Sequence, residues 1–217
     1  MRTRVMPPLA GMAAAVALLA GCGSGDPAGT NRIEGAITSP EAPPPSPATT
    51  ADAIPRPKIK LPRDVRNVFE GRRTGNKTKN AVLADSERGI DAESDAIVRG
   101  APSSAALRFY NKGDTLAWEA KYVQSFVDAG ISYKGTIRYF DRRVAVVDDQ
   151  TATLVYCADE SEAVNTDRRT GKTKRTGQTK RDDNYVLYNT RLTLSPKGVW
   201  QTTKGFSKRG ADACLPR

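Results

Sequence analysis

Three kinds of hydrophobic spacing follow one another along the chain. Between Asp64 and Glu70, Val65, Val68 and Phe69 fall on one side of a short helix that Asp64 would cap and Gly71 would end. Leu83, Ile90 and Ile97 recur every seven residues and predict a helix over about 80–99, with Gly100 as its C-terminal cap. Gly89 falls inside it, at about 1 kcal/mol relative to alanine. Pro102 breaks the chain, and Ser103 or Ser104 caps a third segment running to Tyr110. From Asp114 to Ala129 the helical period is plainest: Leu116, Ala120, Val123 and Val127 form one stripe and Trp118, Tyr122 and Phe126 its neighbour, with Gly130 as the stop.

After Gly130 the period drops to two. Residues 133–140, 142–147, 151–157, 185–194 and 199–206 carry β-branched and aromatic side chains between turn signals such as Asp148-Asp149 and Ser195-Pro196-Lys197-Gly198. Such short connections imply four or five antiparallel strands and exclude a parallel sheet. The fold class is therefore α+β, with N-terminal helices packed on a curved antiparallel sheet in a single domain over 63–217. Residues 158–183 are poor in apolar side chains and read as a long exposed hairpin end. Its Arg168, Arg169, Lys172, Lys174, Arg175, Lys180 and Arg181 are either an anionic docking surface or a solvated loop.

The start of the chain changes the setting. A positive Met1–Arg4, an apolar run from Leu9 to Ala20 and then Leu19-Ala20-Gly21-Cys22 make residues 1–21 a secretion signal. The apolar run is too short for a membrane span of roughly 20 residues. The quartet ending in Cys22 resembles the lipobox of bacterial lipoproteins. That resemblance implies acylation of Cys22, anchorage at the outer face of the cytoplasmic membrane and an extracytoplasmic domain; the alternative is an ordinary secretory cleavage that leaves Cys22 a thiol. Residues 22–62, rich in Gly, Pro, Ala, Ser and Thr around Pro43-Pro44-Pro45-Ser46-Pro47, read as a disordered linker reaching about 120 Å when extended.

Removing Arg2 and Arg4 with the signal lowers the formal charge from +10 to +8. Inside a cell such a charge would suggest nucleic acid, but export redirects it to lipid headgroups, wall polymers or an envelope protein as partner, with no nucleic acid. With Cys22 acylated, Cys157 and Cys214 remain as an even pair in a compartment that permits disulfides. A bond between them is expected, two buried thiols being the alternative.

The chemistry available is narrow. The 217 residues include no histidine, which removes His-based triads, imidazole metal sites and the side chain best suited to proton transfer near neutrality. No phosphate-cradling glycine loop or calcium loop is present, and Asp148-Asp149 and Asp182-Asp183 fall where turns are expected, so no cofactor and no metal are assigned. Trp118, Tyr122, Tyr139, Tyr156, Tyr188 and Trp200 are candidates to line a cavity, although aromatic side chains in such positions commonly serve as packing. No acid can be put beside them from sequence, so no catalytic residue is assigned.

Helices followed by a curved sheet resemble the cone-shaped fold of nuclear transport factor 2 and its relatives. Val65 to Phe69, the run Tyr185 to Leu192, Gly198 to Thr203 and the Cys157 with Cys214 pair are also similar to the folded part of small lipoproteins of high-GC Gram-positive bacteria. The resemblance implies fold and localisation. It leaves the function between a non-catalytic binding module of the cell envelope and an isomerase- or dehydratase-like enzyme using a carboxylate and tyrosine in the cone.

Overall fold

The structure is a computed structural model describing residues 54–71, 73–174 and 181–216. Cys22, the signal and most of the proposed linker, together with Arg175 and Lys180, lie outside the described residues. The order is β1 (Val65–Phe69), α1 (Lys77–Arg99), α2 (Ala105–Tyr110), α3 (Gly113–Asp128), β2 (Ile131–Asp148), β3 (Thr151–Asp167), β4 (Tyr185–Leu194) and β5 (Trp200–Arg209). The strands form one sheet in the order β1-β2-β3-β4-β5.

The helices fall where the spacing puts them. Asn76 caps α1 by accepting from the Lys79 amide, and Gly100 closes it in the left-handed conformation. Ser104 caps α2 through the Leu107 amide. Gly89 is explained by contact: a Cβ there would lie 3.3 Å from Cβ of Tyr110, so its absence lets α2 pack against α1.

Two expectations are corrected. Val65–Phe69 is a strand, not a helix, and it pairs with β2 in parallel, Val65 opposite Gly135 through Phe69 opposite Tyr139. The sheet is therefore mixed, with the three helices forming the crossover that a parallel pair requires. Five residues with an i, i+3, i+4 pattern satisfy either period, and strand pairing decides.

The two strands expected over 133–147 are one bent strand. Asp141 adopts φ 50°, and the register with β3 shifts between Phe140 and Arg143. Another register shift falls between Thr136 and Arg138, just after Gly135, which adopts φ 111° and where a Cβ would lie 2.0 Å from the Glu162 carbonyl. Much of the expected basic hairpin is strand as well, since β3 continues to Asp167.

The domain also begins earlier than its composition suggests. Ile54, Ile59 and Leu61, within the stretch read as linker, pack on its apolar clusters. Arg56 donates to both oxygens of Asp85, a carboxylate that also accepts from Arg88 and from the Trp200 amide. Asp85 is thus a fully buried junction tying the entering chain, α1 and the start of β5 together.

The main core lies between α1 and the sheet, built from Val82, Leu83, Tyr139, Ala152, Leu154, Tyr156, Leu192 and Trp200. Cys157 and Cys214 are joined in a disulfide with Cα atoms 5.6 Å apart, fastening β3 to the C-terminal turn.

Candidate functional site

α1 and α3 both present a helical face toward the sheet. On α1, Ser86, Ile90, Glu93 and Ile97 follow at intervals of three or four; on α3, Thr115, Glu119, Tyr122 and Phe126 do the same. Between these faces and the strands lie two cavities, each of about 600 Å³. The first opens between Asp114–Glu119 of α3 and Thr202–Ser207 of β5. The second lies beside Tyr122 and Phe126 and reaches Ile137, Val164 and Lys174. Ile90, Glu93, Tyr156 and Tyr188 line both.

Aromatic rings make the shared floor. Tyr156 and Tyr188 face each other across β3 and β4, and their rings stack at 4.9 Å with an interplanar angle of 8°. Tyr139 continues the row 6.0 Å from Tyr156, and Phe69 stacks on Tyr139 at 5.1 Å. On the helical side Trp118 stacks on Tyr122 at 5.1 Å while remaining 50% exposed at the mouth of the first cavity.

Carboxyl groups enter this apolar setting from three elements. Burial pushes Glu93 from the ordinary glutamate value of 4.5 up to about 7, with Glu160 adding to the rise. Burial, then the charge of Glu93, pushes Glu119 up to about 9. At neutral pH Glu119 is therefore a neutral acid able to donate a hydrogen bond, and Glu93 is poised between its two forms. Glu160 is held by Arg209 at 2.8 Å. Burial likewise keeps the hydroxyls of Tyr122, Tyr139, Tyr156 and Tyr188 un-ionised.

Two polar atoms on this wall have no hydrogen-bond partner: Oε2 of Glu119 and Oγ1 of Thr115, one turn apart on α3. Thr115 is only 7% exposed. Buried donors and acceptors left unmet are unfavourable by about 1–3 kcal/mol each, so a cavity lined by two is suited to a guest that supplies the missing partners.

Of the residues expected to line a cavity, Trp118, Tyr122, Tyr139, Tyr156 and Tyr188 do so. Trp200 does not: it is 3% exposed, packed in the core with its amide on Asp85. The basic candidates separate further. Arg168 turns inward and donates to the carbonyls of Ile97, Val98 and Ile131, satisfying the end of α1 rather than facing a partner. Lys174 donates to the Ala129 carbonyl, while Arg169, Lys172 and Arg181 are exposed. Among the described residues no group of three His, Cys, Asp or Glu side chains is arranged to hold a metal ion.

Glu93, Glu119 and Thr115 are the site residues that sequence reasoning passed over. The signal for Glu93 was present, since it falls three residues after Ile90 and four before Ile97, a carboxylate on an apolar stripe.

No family model and no curated protein matches the chain. Solved structures with a similar arrangement include the intermembrane space region of the chloroplast protein ARC6, at TM-score 0.38 and 14% identity over 64% of this chain and 99% of that one. A ketosteroid isomerase-like protein from Erwinia carotovora atroseptica matches at TM-score 0.38 and 16% identity over 58% of this chain and 95% of that one. An NTF-2 like protein of unknown function from Shewanella oneidensis matches at TM-score 0.35 and 14% identity over 58% and 97%. The likeness lies in helices laid on a sheet, and no residue role is carried across from these proteins.

Proposed function

We propose that this protein is a lipid-anchored extracytoplasmic binding module that holds a small, largely apolar molecule between α1, α3 and the sheet. The observation that carries the reading is the pair of unpartnered polar atoms, Glu119 Oε2 and Thr115 Oγ1, set in an aromatic cavity of about 600 Å³. Pockets of this size, mainly apolar with a few polar groups fixing orientation, are typical of small-molecule sites. A guest with an acceptor at its inner end would take a hydrogen bond from protonated Glu119 and another from Thr115. The anchor rests on the lipobox-like run ending in Cys22, and the basic surface left at Arg169, Lys172 and Arg181 supports only weak attraction to anionic polymers of the envelope.

The test is displacement of an environment-sensitive apolar fluorophore from the full mature protein. Saturable binding that Thr115→Phe weakens while the thermal transition persists supports the reading; no saturable binding refutes it. Membrane attachment is tested separately by washing membranes that carry Cys22→Ala, which should release the protein.

A proton-transfer activity is the second reading, favoured by Glu93, whose pKa of about 7 suits an acid–base group. A bound carbonyl compound recovered from deuterated buffer with deuterium beside its carbonyl would support it; recovery without deuterium would leave binding alone.

A further inference from the structure

The two cavities share a wall. Ile90 and Glu93 of α1 and Tyr156 and Tyr188 of the sheet line both, so the same side chains form the inner end of each. Along α1 the lining advances from Ser86 through Ile90 and Glu93 to Ile97, and along α3 from Asp114 through Glu119 to Phe126. At a rise of 1.5 Å per residue these stretches cover roughly 16 and 18 Å. The cavities thus lie end to end along both helices, with Glu93 and the stacked tyrosines on the wall they share.

Resting on the binding reading above, we infer that the two cavities join beside Glu93 into a passage for a single acyl chain, threaded from the first into the second. The second cavity offers Ile97, Phe126 and Ile137 to a chain end, beside the Glu160–Arg209 ion pair that shares its lining. The flat faces of Tyr156 and Tyr188 offer contact area without fixed direction, which a flexible chain needs. Lys204 lines the first cavity and Lys174 the second, both exposed, so a polar head in either meets a cation and water; in the first it also takes the hydrogen bonds of Glu119 and Thr115. On the shared wall Glu93 stands with Glu119 of α3 and with Glu160 and its partner Arg209 of the sheet around it. In its protonated form it accepts an apolar neighbour, so passage is favoured in mildly acidic conditions.

The experiment displaces a fluorescent fatty acid from the full mature protein with saturated fatty acids of increasing length, in mildly acidic buffer. Affinity should tighten roughly three- to fourfold for each added methylene until the passage is filled, then level off. Thr115→Phe plugs the first cavity and Val164→Trp the second; for a through passage both move the plateau to shorter chains. Thr202→Phe repeats the first plug from β5 should the helix variant melt early. A plateau moved by one plug only, or an affinity indifferent to chain length, overturns the passage while leaving the small-molecule site standing. Failure of short aromatic probes as well would remove the site itself. A monoacyl lipid should compete and diacyl phosphatidylglycerol should not; equal competition by the two-chain lipid would contradict a single-chain passage.

Discussion

Raising the pH should destabilise this domain across the range where most proteins are at their most stable. Glu93 and Glu119 have folded values of about 7 and 9 against an ordinary 4.5. Between those limits the native state keeps protons that the unfolded chain has released. Stability is therefore greatest below the ordinary glutamate value and is lost as pH rises through 7 for Glu93 and 9 for Glu119. Each carboxyl that stays protonated only in the fold contributes a slope of about 1.4 kcal/mol per pH unit. Both residues keep partial contact with cavity solvent, so we expect about 1–2 kcal/mol per unit for the pair between roughly pH 5 and 7. Asp91, also raised by burial, acts in the same direction. Asp148 and Asp167, lowered chiefly by backbone and threonine hydrogen bonds, act the opposite way and only at more acidic pH. Guanidinium melts of the full chain at a series of pH values read the slope, and Glu93→Gln with Glu119→Gln should flatten it. Stability that stays level or rises from pH 5 to 7 would refute the burial of two protonated carboxyls.

The disulfide, closing a separation of 57 residues, should contribute about 4 kcal/mol by restricting the unfolded chain. Denaturant midpoints with and without reductant, and of Cys157→Ser with Cys214→Ser, check this. Asp85→Ala removes the acceptor shared by Arg56, Arg88 and the Trp200 amide and should reduce stability by about 3–5 kcal/mol, with Asp85→Asn less severe. Gly135→Ala would drive a methyl onto the Glu162 carbonyl at a positive φ; a loss of about 3 kcal/mol or more, or no folding at all, is expected in thermal melts. Arg168→Ala leaves the end of α1 without its side-chain donor, and hydrogen exchange should rise in the last turn of α1 before elsewhere.

The long helices were legible because 23 and 16 residues hold enough turns for a stripe to be unambiguous. β1 was not, because its five residues fit both periods and its partner lies some 70 positions away in β2. The aromatic half of the site was legible from the tyrosines alternating along the strands. Of the carboxyl half only Glu93 left a signal, on the apolar stripe of α1, while Glu119 is an ordinary surface residue until helix packing turns it inward. Trp200 and Arg168 show the converse error. An aromatic on a strand reads as a cavity wall and an arginine in a basic run reads as surface, yet Asp85 draws the first into the core and exposed carbonyls of α1 draw in the second.

The most direct test uses Trp118, half exposed at the cavity mouth, against the buried Trp200. Titrating the mature protein with a single-chain fatty acid should change the Trp118 emission in a saturable, one-to-one manner that Trp118→Phe removes and that weakens as Glu93 ionises. An emission that drifts without saturation, or that is insensitive to pH and to Thr115→Phe, would contradict the claim that this cavity receives a ligand.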